Sequence, residues 1–396
     1  MSALQGFSVL ELGRVPPAEL PGMFLADMGA DVLKIDTPTR GQRPSDTDRF
    51  EAQSHTNRNK RSMAIDLKHP QGLAIFLRLA READVIIEGF RPGTMRRLDA
   101  DYESIASINP RIVYCSMSGF GQAGPYRSRP AHDLNFLALS GALSLWGDAG
   151  RAPDVPLNLV ADYGGAGMHA ALAIAFALLE RERSGQGQHI DIAYLDTSIA
   201  LLAATPNMRR YFSDGYEPTA GEGVFSGTYP YYTLYETRDR RWLSVACSEP
   251  ALWHNFCNAL DRPKWVEFER RAEHYTRSAN AREAEVCDGV AKIIRTRDSA
   301  EWEQHFAKHD VCVAPVRKVS EMLADPHVRA RSLIRDVEHP THGPLRFVDS
   351  ALGLARTPAL INTPAPHTGE HTQEVLRTLG LNPSEIARLR DQAIID

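Results

Sequence analysis

Residues 7–36, FSVLELGRVPPAELPGMFLADMGADVLKID, decide the fold. Phe7 to Leu12 is a short apolar run closed by a glycine and reads as a strand. Leu20 to Met28 carries helical spacing and stops at Gly29, a residue suited to ending a helix. Asp31 to Ile35 is a second strand. The pattern repeats downstream. Pro70 to Glu82 is a helix opened by proline, Val85 to Glu88 a third strand, and Ile112 to Met117 a fourth. Strands alternating with helices imply a doubly wound parallel sheet of the α/β class.

Further along, the spacing predicts one helix over Asp133 to Trp146. A longer one is predicted over Tyr163 to Glu182, ended by Ser184-Gly185-Gln186-Gly187. His189 to Ile192 reads as a strand, with another helix from Ala193. The composition shifts near Asn207, and Ser213 to Tyr232, rich in Gly, Pro and Tyr, reads as a linker. A second region holds a strand at Trp242 to Cys247, helical spacing through Pro250 to Leu260 and Ala281 to Lys308, and a strand at Val311 to Val316. A second linker is expected over Pro326 to Pro344, and Glu370 to Leu379 is helical. The expected domains are 1–206, 207–330 (linker and smaller α+β domain) and 331–396, which returns to the large domain.

The 396 residues suit one large and one smaller domain. A net charge of −5 gives no basic excess for a nucleic-acid partner. The N-terminus has no signal-peptide pattern. The longest apolar stretch, Ala170 to Leu179, is about half of what a bilayer needs. A cytoplasmic protein with no membrane partner is the expectation. The five cysteines form no CxxC pair, which argues against disulfides and structural zinc. The turn Gly13-Arg14-Val15-Pro16-Pro17 lacks GxGxxG, and no P-loop is present, so neither nucleotide motif is supported.

Three residues invite chemistry. Asp162 stands where the strand-like run Leu157 to Val160 gives way to a helix. An aspartate there serves as an N-cap, but Gly164-Gly165 in the first turn suggests close backbone approach. Amide donors at such a terminus also suit developing negative charge. His132 precedes another helix, and histidine titrates near working pH. Glu249 follows a strand and precedes Pro250. Arg58, Lys60, Arg61, Lys68, Arg91, Arg96 and Arg97 are either charged surface or a phosphate-binding set. Gly89-Phe90-Arg91-Pro92-Gly93 follows a strand, and loops at carboxyl strand ends are where such sheets bind ligands.

Several long segments carry a resemblance: LADMGADVLKID (25–36), NRNKRSMAIDLKHPQG (57–72), ADVIIEGFRPG (83–93), NPRIVYCSMSGFGQAGPY (109–126), LLERERSGQGQHIDIA (178–193) and TGEHTQEVL (368–376). Together they resemble the family III CoA-transferases, the CaiB/BaiF group that includes the α-methylacyl-CoA racemases. The resemblance implies a large Rossmann-like domain, a smaller α+β domain and an intertwined homodimer acting on acyl-CoA. Coenzyme A would enter as part of the substrate, with no tightly bound cofactor and no metal.

Asp162 matches the family's essential aspartate, a nucleophile in the transferases and a base in the racemases. AHDLNFLALSGAL (131–143), SEP (248–250) and GVFSGTYPYYTLY (223–235) are similar to racemase segments. The first implies His132 as second base, and the second implies Glu249 as its support, supplied by the partner subunit. The CoA positions implied are Ile65, Asp66, Leu67, Lys68, Gly89, Phe90, Arg91, Arg97, Ala131, Asp133, Leu134, Asn135 and Phe136. Thr37 stands where relatives often carry arginine, and Glu19 departs from a small-residue stretch at the pantetheine entrance.

Overall fold

The computed structural model describes residues 2–13, 15–39 and 49–396; Arg14 of the first turn lies outside the described residues. Six strands form one sheet: β1 (Ser8–Leu12), β2 (Asp31–Asp36), β3 (Arg61–Ala64), β4 (Val85–Glu88), β5 (Val113–Ser118) and β6 (Gln188–Ala193). Their order is β3-β2-β1-β4-β5-β6, and every neighbouring pair is parallel. The order reverses between β1 and β4, which makes the carboxyl ends of those strands the switch point where such sheets place ligands.

The strands form here because nearly every side chain can be covered. All positions of β4 and β5 are buried, as parallel strands with helices on both faces require. Helix α1 (Pro16–Asp27) starts with two prolines, which the first helical turn tolerates. Helix α2 (Pro70–Ala80) buries Ile75, Phe76 and Ala80, and the His69 ring accepts the Gln71 N–H at its start. Helix α3 is Tyr102–Ile108, α4 Asp133–Leu139, α5 Met168–Ser184 and α6 Tyr194–Ala203. Leu376, Ile386, Leu389 and Ile394 from the C-terminal end join Leu10, Ile35 and Ile86 in one core.

The chain forms two compact units. One comprises Met1–Phe136, Leu157–Ser198 and Leu323–Asp396; the other comprises Leu137–Pro156 and Ile199–Met322. The second unit holds an antiparallel sheet of β7 (Tyr232–Glu236), β8 (Trp242–Ala246) and β9 (Val313–Pro315). Its core is aromatic: Tyr229, Tyr231, Trp253, Phe256 and Trp302 are all buried.

Several elements differ from the sequence expectation. Strand β3 was not anticipated, because its flanking cations belong to ion pairs that a hydropathy pattern cannot reveal. The helix expected over 133–146 breaks at Gly141, whose φ is 84°, and resumes as a single turn, Ala142–Leu145. The helix expected over 281–308 is two, because Asp298 and Glu301 cap a new start. The stretch 213–232 is anchored rather than free, since Val224, Tyr229 and Tyr231 are core residues. Inside 326–344 lies most of a hairpin, β10 (Ile334–His339) paired with β11 (Gly343–Val348). Finally, Leu159–Ser184 is one continuous helical run of 26 residues, long and apolar enough by length and composition to cross a membrane. In this fold it packs on β5, β6 and α1.

Candidate active site

The run 157–160 is not a strand. Leu157 and Leu159 are exposed, and a wide π-helical turn spans Leu159–Gly167 before α5 begins. In such a turn each carbonyl faces the residue five positions on. A β-carbon on Gly164 would lie 3.0 Å from the Leu159 oxygen, and one on Gly165 would lie 3.0 Å from the Val160 oxygen. One on Gly167 would lie 2.7 Å from Leu20 of α1. The close approach expected at Gly164-Gly165 is therefore the packing of this turn on itself and, at Gly165, on Thr197 of α6, while Gly167 packs on α1. Single π turns recur at functional sites.

Asp162 is not the N-cap. That position is Asn158, which makes no side-chain cap bond. The capping is done from another element: Asp133 Oδ2 accepts the N–H groups of Ala161 at 3.0 Å and Asp162 at 2.9 Å. The Asp133 carboxylate is buried and ties the first turn of α4 to the π turn. These two amides are thus already engaged, so they are not the free donors that a helix N-terminus suggested.

With its backbone held, the Asp162 side chain is left half-buried, and it accepts a hydrogen bond from Asn158 Nδ2 at 3.3 Å. Burial raises its pKa above the usual carboxylate range, and the Asp133 charge adds to the rise; Asn158 and the nearby His132 oppose it. His132 is exposed, and its backbone N–H is fixed by Asn135 Oδ1 at 3.0 Å. His132, Asp133 and Asp162 therefore meet in the first unit. Glu249 stands in the second unit. It is exposed at the N-cap position of helix Pro250–Ala259 and accepts a hydrogen bond from Ser248 Oγ at 3.2 Å.

The expected CoA positions fall into two kinds. Ile65 and Phe136 have core side chains, the former bridging Ile395 and the latter stacked on Tyr194 at 5.3 Å. Lys68, Arg91, Arg97, Leu134 and Asn135 are exposed. Asp66 Oδ1 accepts the Lys68 N–H at 2.9 Å, and Arg97 donates to Thr94 Oγ1 at 3.1 Å. Leu67 and Ala131 are half-buried. Gly89 sits where a β-carbon would be 2.8 Å from Ala18 of α1, so glycine is needed at this strand end.

Three of the basic residues are structural. Arg58 is buried against Asp27, Lys60 against Glu11 at 2.6 Å, and Arg61 pairs with Asp31 and Glu374. Glu19 does not face outward either. It is 4% exposed and accepts from Lys34 and Thr56, each at 2.8 Å.

Two contributors were missed. Asn158 has no sequence signal beyond its spacing of four from Asp162. Glu88, at the end of β4, reads as an ordinary strand terminus but is buried next to the expected CoA loop.

A family model described as CoA-transferase family III matches residues 4–372. The alpha-methylacyl-CoA racemase of Homo sapiens is 33% identical over 412 aligned residues, spanning 100% of this chain and 98% of that protein. The succinate–glutarate CoA-transferase of Agrobacterium fabrum is 35% identical, covering 95% of each. Among solved structures, a CAIB/BAIF family protein from Brucella suis superposes with a TM-score of 0.80 at 27% identity, over 96% of this chain and 99% of that one.

Proposed function

This chain belongs to CoA-transferase family III, and on that premise we propose that it racemises 2-methylacyl-CoA thioesters using Asp162 and His132 as paired bases. The observation that carries the reading is the placement of the two side chains. A half-buried carboxyl with a raised pKa lies within electrostatic reach of an exposed histidine, and the backbone of each is held by a side-chain acceptor. A raised carboxyl pKa suits a group that must both take and give a proton.

In this mechanism one base removes the α-proton of the thioester and the planar enolate forms. The other base then delivers a proton to the opposite face, which inverts the centre. The next turnover starts from the reversed protonation state. Asp133 holds the turn that carries Asp162, and Glu249 of a second subunit supports His132. A second copy of the chain is part of the proposal. Helix α5 exposes Leu172, Phe176 and Leu179, at 50%, 61% and 58%, on spacings of four and three, an apolar face of the kind that marks an association surface.

The test is deuterium uptake at the α-carbon in deuterated water across a panel of branched acyl-CoAs. Exchange with inversion is expected; no exchange with any ester would defeat the racemase reading. A second reading, transfer of CoA between carboxylic acids with Asp162 as nucleophile, is favoured by the likeness to the succinate–glutarate enzyme. It requires a covalent adduct on Asp162 that borohydride or hydroxylamine captures.

A further inference from the structure

The carboxyl ends of β4, β5 and β6 carry a polar row that the proposed chemistry does not use. Glu88 pairs in register with Ser116, and Ser116 with Asp191, so the three side chains lie across neighbouring strands. Glu88 is 4% exposed. Its Oε2 accepts the Phe90 N–H at 2.8 Å, and Ser116 also bonds to it. Ser116 Oγ lies 3.0 Å from His189 Nε2 on β6, and His189 stacks on Tyr102 of α3 at 5.2 Å. On its other side Glu88 registers with Leu12 of β1, an apolar neighbour. No ion pair to Glu88 is found among the described residues.

A carboxyl buried without a cation costs stability. It is placed where Gly89-Phe90-Arg91 leaves the sheet at its switch point. The loop is gripped from two directions. Ala18 of α1 closes on Gly89, and the Glu88 carboxyl holds the next amide, that of Phe90. An amide bonded to an ionised acceptor is held more firmly than one bonded to a neutral acceptor.

We propose that Glu88 is a positioning residue: by accepting the Phe90 N–H it sets the conformation of the Gly89–Arg91 loop, and so the affinity for the CoA portion of the substrate. This rests on the reading that the loop binds CoA. Burial pushes the Glu88 carboxyl up to about 7, with the Asp191 charge adding to the rise and the bonds from Ser116 and Phe90 opposing it. Tyr114 and Cys115 of β5 also feel its charge, and His189 of β6 stands one step away, against Ser116. The grip therefore strengthens as pH rises through about 7.

The experiment is binding of CoA itself by calorimetry from pH 5.5 to 8.5, on the wild type, Glu88→Gln and Glu88→Ala. Dephospho-CoA is run in parallel, so that ionisation of the ligand's own phosphate monoester is separated from that of the protein. Thermal unfolding of each variant checks that it folds. The wild type should bind more tightly above pH 7 with both ligands. Glu88→Gln keeps an acceptor but cannot ionise, so it should bind with no break near pH 7. Glu88→Ala removes the acceptor and should weaken binding roughly five- to tenfold at pH 8, the scale of one lost buried hydrogen bond. KM for an acyl-CoA should rise in parallel, with a smaller change in kcat. CoA binding that ignores both substitutions, or a break that persists in Glu88→Gln, would overturn this proposal alone. A wild type that binds no CoA would overturn the loop's assignment and this proposal with it.

Discussion

Helix α1 touches two acid–base groups that differ in how their charges are answered. At Glu11 and Lys60 both side chains are fully enclosed and answer each other at 2.6 Å, and Lys60 also donates to the Glu19 carbonyl at 2.9 Å. Burial is nonetheless strong enough to push the Glu11 carboxyl up to about 7 and the Lys60 ammonium down. Against Leu20 of the same helix lies the π turn of Asp162. There the carboxyl is half-buried and accepts one long bond from Asn158, while its backbone is what Asp133 secures. A closed pair has no spare proton traffic and serves the fold. A carboxyl fixed by its backbone and left open at its oxygens can serve a reaction.

Breaking the closed pair should do the most damage. Lys60→Met leaves Glu11 buried without a partner and should cost about 3–5 kcal/mol of stability by chemical denaturation. Adding Glu11→Leu should restore much of it, because the orphaned charge is gone. If Lys60→Met were neutral, the pair would not be structural. The open carboxyl should behave oppositely. Asp162→Asn should leave the denaturation midpoint within about 1 kcal/mol of wild type, while turnover falls by roughly 10²–10⁴, the range for a general base.

Intermediate effects are expected at the turn that joins the two regions. Gly165→Ala places a β-carbon 3.0 Å from the Val160 oxygen and 3.1 Å from Thr197 Oγ1. It should cost about 1–3 kcal/mol and lower kcat more than it raises KM, because the turn carrying Asp162 must shift. An unchanged kcat would separate the turn's shape from the chemistry.

The smallest effect concerns Glu88, whose charge is neither paired like Glu11 nor open like Asp162. Its folded pKa, about 7, lies above the ordinary 4.5. Stability from its protonated form is therefore complete below about 4.5 and lost as pH rises toward 7. Glu88→Gln, which cannot ionise, should gain in melting temperature relative to wild type as pH rises across that window. A difference that stays flat with pH would show that the carboxyl is not buried as described.

The legible and illegible parts of the molecule divide along the same line. Strands β1, β4 and β5 were readable because parallel strands covered on both faces are largely apolar runs, and the edge strand β6 because Ile190 and Ile192 alternate with polar residues. Strand β3 was not, because Lys60 and Arg61 look like surface until their partners Glu11, Asp31 and Glu374 are seen. The helix starts at Pro70 and Pro250 were readable from their prolines; the start capped by Asp298 was not, because helical spacing runs on across it. The π turn was not, since a five-residue hydrogen-bond period leaves no hydropathy signature. Asp162 and His132 are candidates through their neighbouring motifs, yet the geometry that leaves the Asp162 carboxyl open comes from Asp133, 29 positions earlier. Glu19 looked like an entrance residue only because Lys34 and Thr56 are distant in sequence.

The account rests on Asp162 and His132 acting together as proton carriers. The most direct measurement follows α-deuterium uptake and loss of optical rotation together, starting from each enantiomer of a 2-methylacyl-CoA. The wild type, Asp162→Asn and His132→Ala should be compared in deuterated water. The wild type should exchange and racemise both enantiomers, and each variant should lose racemisation from either side. Racemisation by His132→Ala at the wild-type rate would contradict the account, as would a wild type that exchanges nothing while Asp162 is captured as a covalent adduct.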